Sequence, residues 1–234
     1  KRGMHSAAEP KTATLALVTD EVEGWYEYLT DAGVPMRAEF QPTTGGPHVG
    51  FVAIDPEGYF LEFERFEPHE ENEHLLPALE RLQPLYPNPS ADSSRPPELG
   101  VRATILWLYY LDTTAANRFY TKVLGADPIV DQGWAWAHQA SPSGFIGIVD
   151  SERGLHQATD EKGVTVSLFV DDIDAWFEYM KGADGFEPRS GEIGNESGHV
   201  RVFVGYDPEG YFLEWDTFLD VVGNEELLRQ LRRE

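Results

Sequence analysis

An eight-residue segment occurs twice without change, and it constrains the chain more than any other feature. Asp55-Pro56-Glu57-Gly58-Tyr59-Phe60-Leu61-Glu62 returns as Asp207-Pro208-Glu209-Gly210-Tyr211-Phe212-Leu213-Glu214. The correspondence extends on both sides. Arg2-Gly3-Met4-His5 aligns with Arg153-Gly154-Leu155-His156, Trp25 with Trp176, Glu27-Tyr28 with Glu178-Tyr179, and Asn72-Glu73-His74-Leu75-Leu76 with Asn224-Glu225-Glu226-Leu227-Leu228. An unbroken match inside a longer, nearly in-register alignment is the mark of a duplicated supersecondary unit.

The repeated unit reads as β-α-β-β-β. Residues 12–18 alternate and are β-rich, and Asp20 or Glu21 can cap a helix running to about residue 31, with Trp25, Tyr28 and Leu29 on one face. Residues 36–40, 49–54 and 59–66 read as strands. The last two are joined by a tight turn in which Pro56 fixes one φ and Gly58 is free to take a positive one. Residues 164–218 repeat this pattern. Residues 101–150 give a third unit: a strand at 101–111, a helix capped at Asp112 and stopped at Gly125, and strands at 128–131, 134–139 and 144–150. Short helices close two of the copies, at about 73–82 and 224–232. Five prolines between residues 84 and 100 exclude a helix or central strand there and predict a linker.

Composition narrows the partners. The 234 residues carry a net charge of −23, which disfavours nucleic acid and anionic membrane surfaces. No apolar run approaches the roughly 20 residues that span a bilayer. The absence of cysteine excludes disulfides and thiolate chemistry and fits a cytoplasmic location. Only five of the 18 basic residues are lysine, a balance that suits either a high-salt cytoplasm or an ordinary acidic protein. Lys1, rather than Met, begins the sequence, so a preceding segment is expected.

Taken together, these motifs resemble the vicinal-oxygen-chelate superfamily, the glyoxalase, bleomycin-resistance and extradiol-dioxygenase type. Asp112 followed by Phe119-Tyr120 and Val123-Leu124-Gly125 is similar to that family's first helix. Val170-Asp171-Asp172-Ile173-Asp174 is similar to the start of its second module, and the repeated octapeptide to its last turn and strand. The resemblance implies an α+β fold of tandem β-α-β-β-β modules, two of which pair into a curved-sheet cup around one cavity. On this reading residues 1–83 are the second half of one such domain, a single module with a short closing helix. Residues 84–100 are a Pro/Ser linker. Residues 101–234 form a complete domain from modules 101–150 and 164–218 with a closing helix at 223–233. The module at 12–66 then needs a partner, either a missing N-terminal half-domain or the same module in another copy of a homo-oligomer, because an unpaired half would expose an apolar sheet face.

The resemblance also implies where metal ligands would sit: one on the first strand and one on the last strand of each module. Glu214 fills the last-strand position as a metal ligand or general base, with Glu62 its equivalent in the earlier copy. Thr165 and Thr14 stand where His is usual, Ile105 cannot ligate, and Asp150 lies at a strand end. The expectation is therefore no cofactor, with one divalent metal ion on Glu214 as the alternative. Alternation puts Ile105, Trp107 and Tyr109 on one strand face and Trp134, Trp136 and His138 on another, predicting an aromatic wall for a flat or cationic small molecule. Ser167 and Phe212 are expected beside Thr165 and Glu214. His138 and His156 are candidate acid–base groups, His156 equally a structural residue of a turn, whereas His48, His69 and His74 read as solvated. Residues 191–198 read as a mobile lip. Three functions follow from these features: a metal-free small-molecule-binding protein, an enzyme using Glu214 with non-standard partners, and an assembly subunit.

Overall fold

The computed structural model describes residues 5–82 and 94–232. Its chain forms two compact units, one made of 6–159 and the other of 160–232 with His5. No helix among the described residues is long and apolar enough to cross a membrane. Residues 84–93 of the expected linker lie outside the described residues, as does most of the Arg2-to-His5 match.

The larger unit starts with β1 (Ala13–Val18), α1 (Val22–Asp31), β2 (His48–Ile54) and β3 (Phe60–Phe66), followed by α2 (Leu75–Glu80). A second module follows: β4 (Ala103–Tyr110), α3 (Thr113–Arg118), β5 (Asp127–Asp131), β6 (Ala135–Gln139) and β7 (Gly144–Asp150). In each module the first strand runs parallel to the last, β1 to β3 and β4 to β7, and the crossover helix covers one face. The two modules join edge to edge through antiparallel β1 and β4, with Thr14 opposite Trp107 and Ala16 opposite Ile105. The result is one seven-stranded sheet in the order β2-β3-β1-β4-β7-β6-β5.

This pairing corrects the expected one. Module 101–150 shares its sheet with 12–66 of the same chain, not with 164–218. The long-range pairing of β1 with β4 accounts for it. β1 reads Ala-Thr-Leu-Ala-Leu-Val, with Ala13, Thr14, Ala16 and Val18 buried, and it is a central strand between β3 and β4.

The smaller unit contains β8 (Thr165–Phe169), α4 (Ile173–Met180), β9 (Glu187–Pro188), β10 (Gly194–Glu196), β11 (Val200–Tyr206), β12 (Phe212–Phe218) and α5 (Glu225–Arg232). Its sheet has the order β10-β11-β12-β8, with β8 parallel to β12. Residues 194–196 form a hairpin with 200–202, so the segment expected as a mobile lip is in part a paired strand.

Several local signals act as their chemistry dictates. Asp112 Oδ1 accepts from Ala115 N at 2.9 Å and Asp172 Oδ1 from Ala175 N at 3.0 Å, capping α3 and α4. The duplicated octapeptide makes the same turn twice. Asp55 Oδ1 accepts from the amides of Glu57 and Tyr59, and Asp207 Oδ1 from those of Glu209 and Tyr211, while Gly58 and Gly210 sit at φ 91° and 88°. Asp55→Ala leaves two amides without that acceptor and should cost about 1–2 kcal/mol in chemical denaturation, whereas Asp55→Asn should recover most of it. Two expected elements differ. Residues 36–40 make only an isolated bridge, Met36 to Ala53, because Pro35 brings no amide to a ladder and Phe40 turns in against Tyr26 and Phe51. The helix at 112–124 is α-helical only to Arg118 and continues as a π-helical turn, Phe119–Val123.

Candidate functional site

The register of β2 against β3 places His48 opposite Phe66, Gly50 opposite Glu64 and Val52 opposite Glu62, so these side chains share one face. The other face packs under α1, where Phe51 and Phe63 stack with ring centroids 5.1 Å apart and Trp25 lies 4.9 Å from Phe63. The first face borders a cavity of about 240 Å³ within the larger unit. Glu62, Glu64 and His48 line it from one module, and Trp107, Tyr109, Trp134 and Arg153 from the other.

Two glycines make room for this arrangement. A Cβ on Gly50 would lie 2.7 Å from the Phe63 carbonyl oxygen and 3.1 Å from Glu64 Cβ, so only glycine fits opposite that carboxylate. A Cβ on Gly147 would lie 1.9 Å from Trp107 Cε3, which means the indole rests directly on bare backbone. Gly147→Ala should therefore displace the Trp107 ring, at a cost of about 1–3 kcal/mol, and change the indole fluorescence. An unchanged emission spectrum and unchanged stability would contradict that packing. On β1, the Thr14 hydroxyl is engaged with Tyr109 Oη at 2.8 Å.

The electrostatics are unusual for so acidic a chain. Glu64 is 2% exposed, and its Oε1 has no hydrogen-bond partner. Burial, reinforced by the neighbouring Glu62 charge, pushes its carboxyl well above the usual range, and a hydrogen bond from Trp107 opposes the shift. Glu62 is pushed up to about 7 by burial, against the pull of the Arg37 charge. At the cavity rim, partial desolvation holds the His48 imidazole below its ordinary pKa, with Glu71 acting the other way. One ligand atom from each of His48, Glu62 and Glu64 lies within 4.8 Å of the others.

The residues expected at the site divide among three places. Trp107, Tyr109 and Trp134 line the cavity. Trp136 and His138 lie on the other face of β6, a correction to the expected wall. The pleat turns Ala135 and Ala137 towards the inner cluster, and Trp134 reaches the cavity from just before the strand, outside its alternation. His138 is fully buried, with Nε2 3.3 Å from Thr121 Oγ1 and its ring 6.0 Å from Tyr120, and burial lowers its pKa to about 4. His156 packs between Phe60 at 4.7 Å and Tyr109 at 4.9 Å, its Nε2 buried and without a hydrogen bond. Burial and the Arg37 charge both disfavour its proton.

Thr165, Ser167, Phe212 and Glu214 belong to the smaller unit. There Phe212 pairs with Thr165 and Glu214 with Ser167, whose hydroxyl donates to Glu214 Oε1 at 3.2 Å. His5 Nε2 lies 2.8 Å from Thr165 Oγ1. The carboxylate that shares a cavity with the aromatic wall of 101–150 is therefore Glu62, joined by Glu64. Sequence reasoning missed Glu64 and His48. The i, i+2 spacing of Glu62 and Glu64 was the available signal for the first, since it puts both on one strand face. The rim position of His48 depends on the β2 to β3 register.

Residues 2–63 match the model of the Glyoxalase/Bleomycin resistance protein/Dioxygenase superfamily. Among solved structures, glyoxalase I from Zea mays is similar over 97% of this chain and 72% of its own, at 16% identity and a TM-score of 0.59. A Bacillus subtilis protein whose dioxygenase assignment is provisional is similar over 96% and 73%, at 11% identity and a TM-score of 0.60. These likenesses are of fold. Comparison with curated proteins gives no match.

Proposed function

We propose, from a fold similar to that of glyoxalase I and from the match of residues 2–63 to the Glyoxalase/Bleomycin resistance protein/Dioxygenase superfamily model, that the cup of residues 6–159 binds a small organic molecule. The observation that carries this reading is a pair of desolvated carboxyl groups, Glu62 and Glu64, bordering a cavity walled by Trp107, Tyr109 and Trp134. An aromatic wall with a few convergent polar groups is the usual make-up of a ligand site. The volume of about 240 Å³ lies below the roughly 300 Å³ at which sites for drug-sized molecules begin, so a single-ring compound fits. Arg153 already lies over the Trp134 ring, 4.8 Å from its centroid. The protein's own cation thus occupies a ring face that a cationic ligand would otherwise use.

Neutral single-ring probes such as benzamide and phenol should quench tryptophan fluorescence of the full chain saturably. Trp134→Ala should weaken that binding at least tenfold, corresponding to about 1.4 kcal/mol or more of lost stacking. Binding unaffected by Trp134→Ala, or no binding at millimolar probe, would reject the reading.

A second reading, metal-dependent chemistry, is favoured by the orphaned Glu64 Oε1 beside Glu62 and His48. Two carboxylates and an imidazole suit a divalent cation. These three residues would hold it, all from one β-hairpin, and a cation there supplies Lewis acidity towards a ligand oxygen. Thr14, Ile105 and Glu214 play no part in this set. Mn²⁺ titration of EDTA-treated protein, followed by electron paramagnetic resonance, should show one site per chain that is lost in both Glu64→Gln and His48→Ala. No binding would remove this reading and leave the first.

A further inference from the structure

Five arginines of this chain form ion pairs with surface carboxylates, but two arginines near the cup do not. The chain holds 41 acidic residues against 18 basic ones, so an arginine has carboxylates in abundance to pair with. Arg65, Arg102, Arg201, Arg229 and Arg232 do so. Arg153 and Arg37 do not: among the described residues neither guanidinium makes an ion pair or a hydrogen bond. Each instead lies over an aromatic ring, Arg153 over Trp134 of the cavity wall and Arg37 over Phe60. Arg153 lies 4.8 Å from the Trp134 centroid and Arg37 5.9 Å from that of Phe60. Arg153 lines the cavity, and the Arg37 charge is close enough to act on both Glu62 and His156.

The duplication gives an independent observation. In the smaller unit Arg189 repeats Arg37. The Arg37 amide donates to Val52 O at 2.9 Å and the Arg189 amide to Val204 O at 3.0 Å, and Arg189 lies 5.2 Å from the ring of Phe212, the counterpart of Phe60. The octapeptide that follows was retained through duplication, and so was this arginine over its aromatic ring, again without an ion pair among the described residues.

A guanidinium stacked on an aromatic ring keeps its in-plane N–H donors free and loses less rotamer freedom when it binds a planar anion. We propose that Arg153, assisted by Arg37, is an anion clamp at the cavity, and that the ligand is a small ring compound bearing a carboxylate. The proposal rests on the ligand-binding reading above and adds the charge of the ligand to it. The ring lies against the aromatic wall while its carboxylate meets the guanidinium fork of Arg153.

Benzoate, its neutral isostere benzamide and benzylamine separate the possibilities by fluorescence titration of the full chain. Benzoate should bind at least tenfold more tightly than benzamide, and benzylamine most weakly. Arg153→Gln should remove that preference, bringing benzoate down to the affinity of benzamide for the same variant, and Arg37→Gln should reduce it. Arg153→Lys, which keeps the charge and loses the fork, should fall between. Equal affinity for benzoate and benzamide, or a preference for benzylamine, overturns the clamp and leaves the ligand-binding reading standing. Failure of all three probes to bind overturns that reading and the clamp with it.

Discussion

Glu64→Gln raises the stability of the metal-free protein at pH 8 and leaves it nearly unchanged at pH 4.5. The cause is the cost of keeping two carboxyl groups in a poorly solvated site. Glu62 titrates at about 7 in the folded protein against 4.5 as an ordinary carboxyl, and Glu64 is raised further in direction by burial and by Glu62. Between those values the folded state holds a proton that the unfolded chain has released. Stability is therefore fully present below about pH 4.5 and falls as pH rises through about 7. For Glu62 alone the difference corresponds to about 3 kcal/mol, reduced by whatever solvent reaches the cavity. The amide in Glu64→Gln keeps an oxygen for Trp107, carries no charge and relieves Glu62. Urea unfolding at pH 4.5 and pH 8 in EDTA measures the effect. Equal stability increments at the two pH values, or destabilisation at pH 8, would mean that the carboxyl pair is not desolvated.

His138→Gln acts on the opposite limb. Burial lowers the folded-state pKa of His138 to about 4 from 6.5, so in this window the unfolded chain binds the extra proton. The corresponding stability is complete above about pH 6.5 and is lost as pH falls towards about 4, amounting to about 3 kcal/mol. Gln retains a polar group for Thr121 and does not titrate. The variant should therefore lose less stability than the parent between pH 6.5 and pH 4, with a modest packing loss at pH 8. The parent hides both effects, because the carboxyl pair and His138 pull in opposite directions over much of the same range. The two single variants separate them: one flattens the fall at high pH and the other the fall at low pH. A parallel acid limb in His138→Gln and parent would show that His138 is protonated without opening its side of the sheet.

The parts of the fold that local chemistry decides were readable from the residues. Asp112 and Asp172 cap helices, and Asp55 and Asp207 close the same turn, because each needs only a carboxylate a few residues from free amides. The module pattern followed from these elements and from the repeat. Which modules share a sheet did not, because modules 12–66 and 164–218 are near-copies and either offers module 101–150 a similar first strand. The choice depends on long-range pairing of β1 with β4, which no local signal in either strand specifies. The site shows the same division. Alternation gave Trp107 and Tyr109 a common face, which is the cavity face. It gave Trp136 and His138 a common face too, but not its direction, and the small Ala135 and Ala137 turned out to be the inner pair. Glu62 was visible as the counterpart of Glu214. The meeting of His48 with Glu62 and Glu64 depends on strand register, which its acidic, polar sequence surroundings do not disclose.

The central claim is that the cavity of the 6–159 cup is where this protein binds its ligand, and ¹⁹F NMR of 5-fluorotryptophan-labelled full chain titrated with benzoate tests it most directly. The six tryptophans, Trp25, Trp107, Trp134, Trp136, Trp176 and Trp215, are distributed over both units and both faces of the larger sheet. The account predicts saturable shifts of the Trp107 and Trp134 resonances, assigned by single Trp→Phe variants, with Trp25, Trp136, Trp176 and Trp215 unmoved. Shifts confined to Trp136, or to Trp176 and Trp215, would place binding elsewhere and contradict it, as would a spectrum that does not respond.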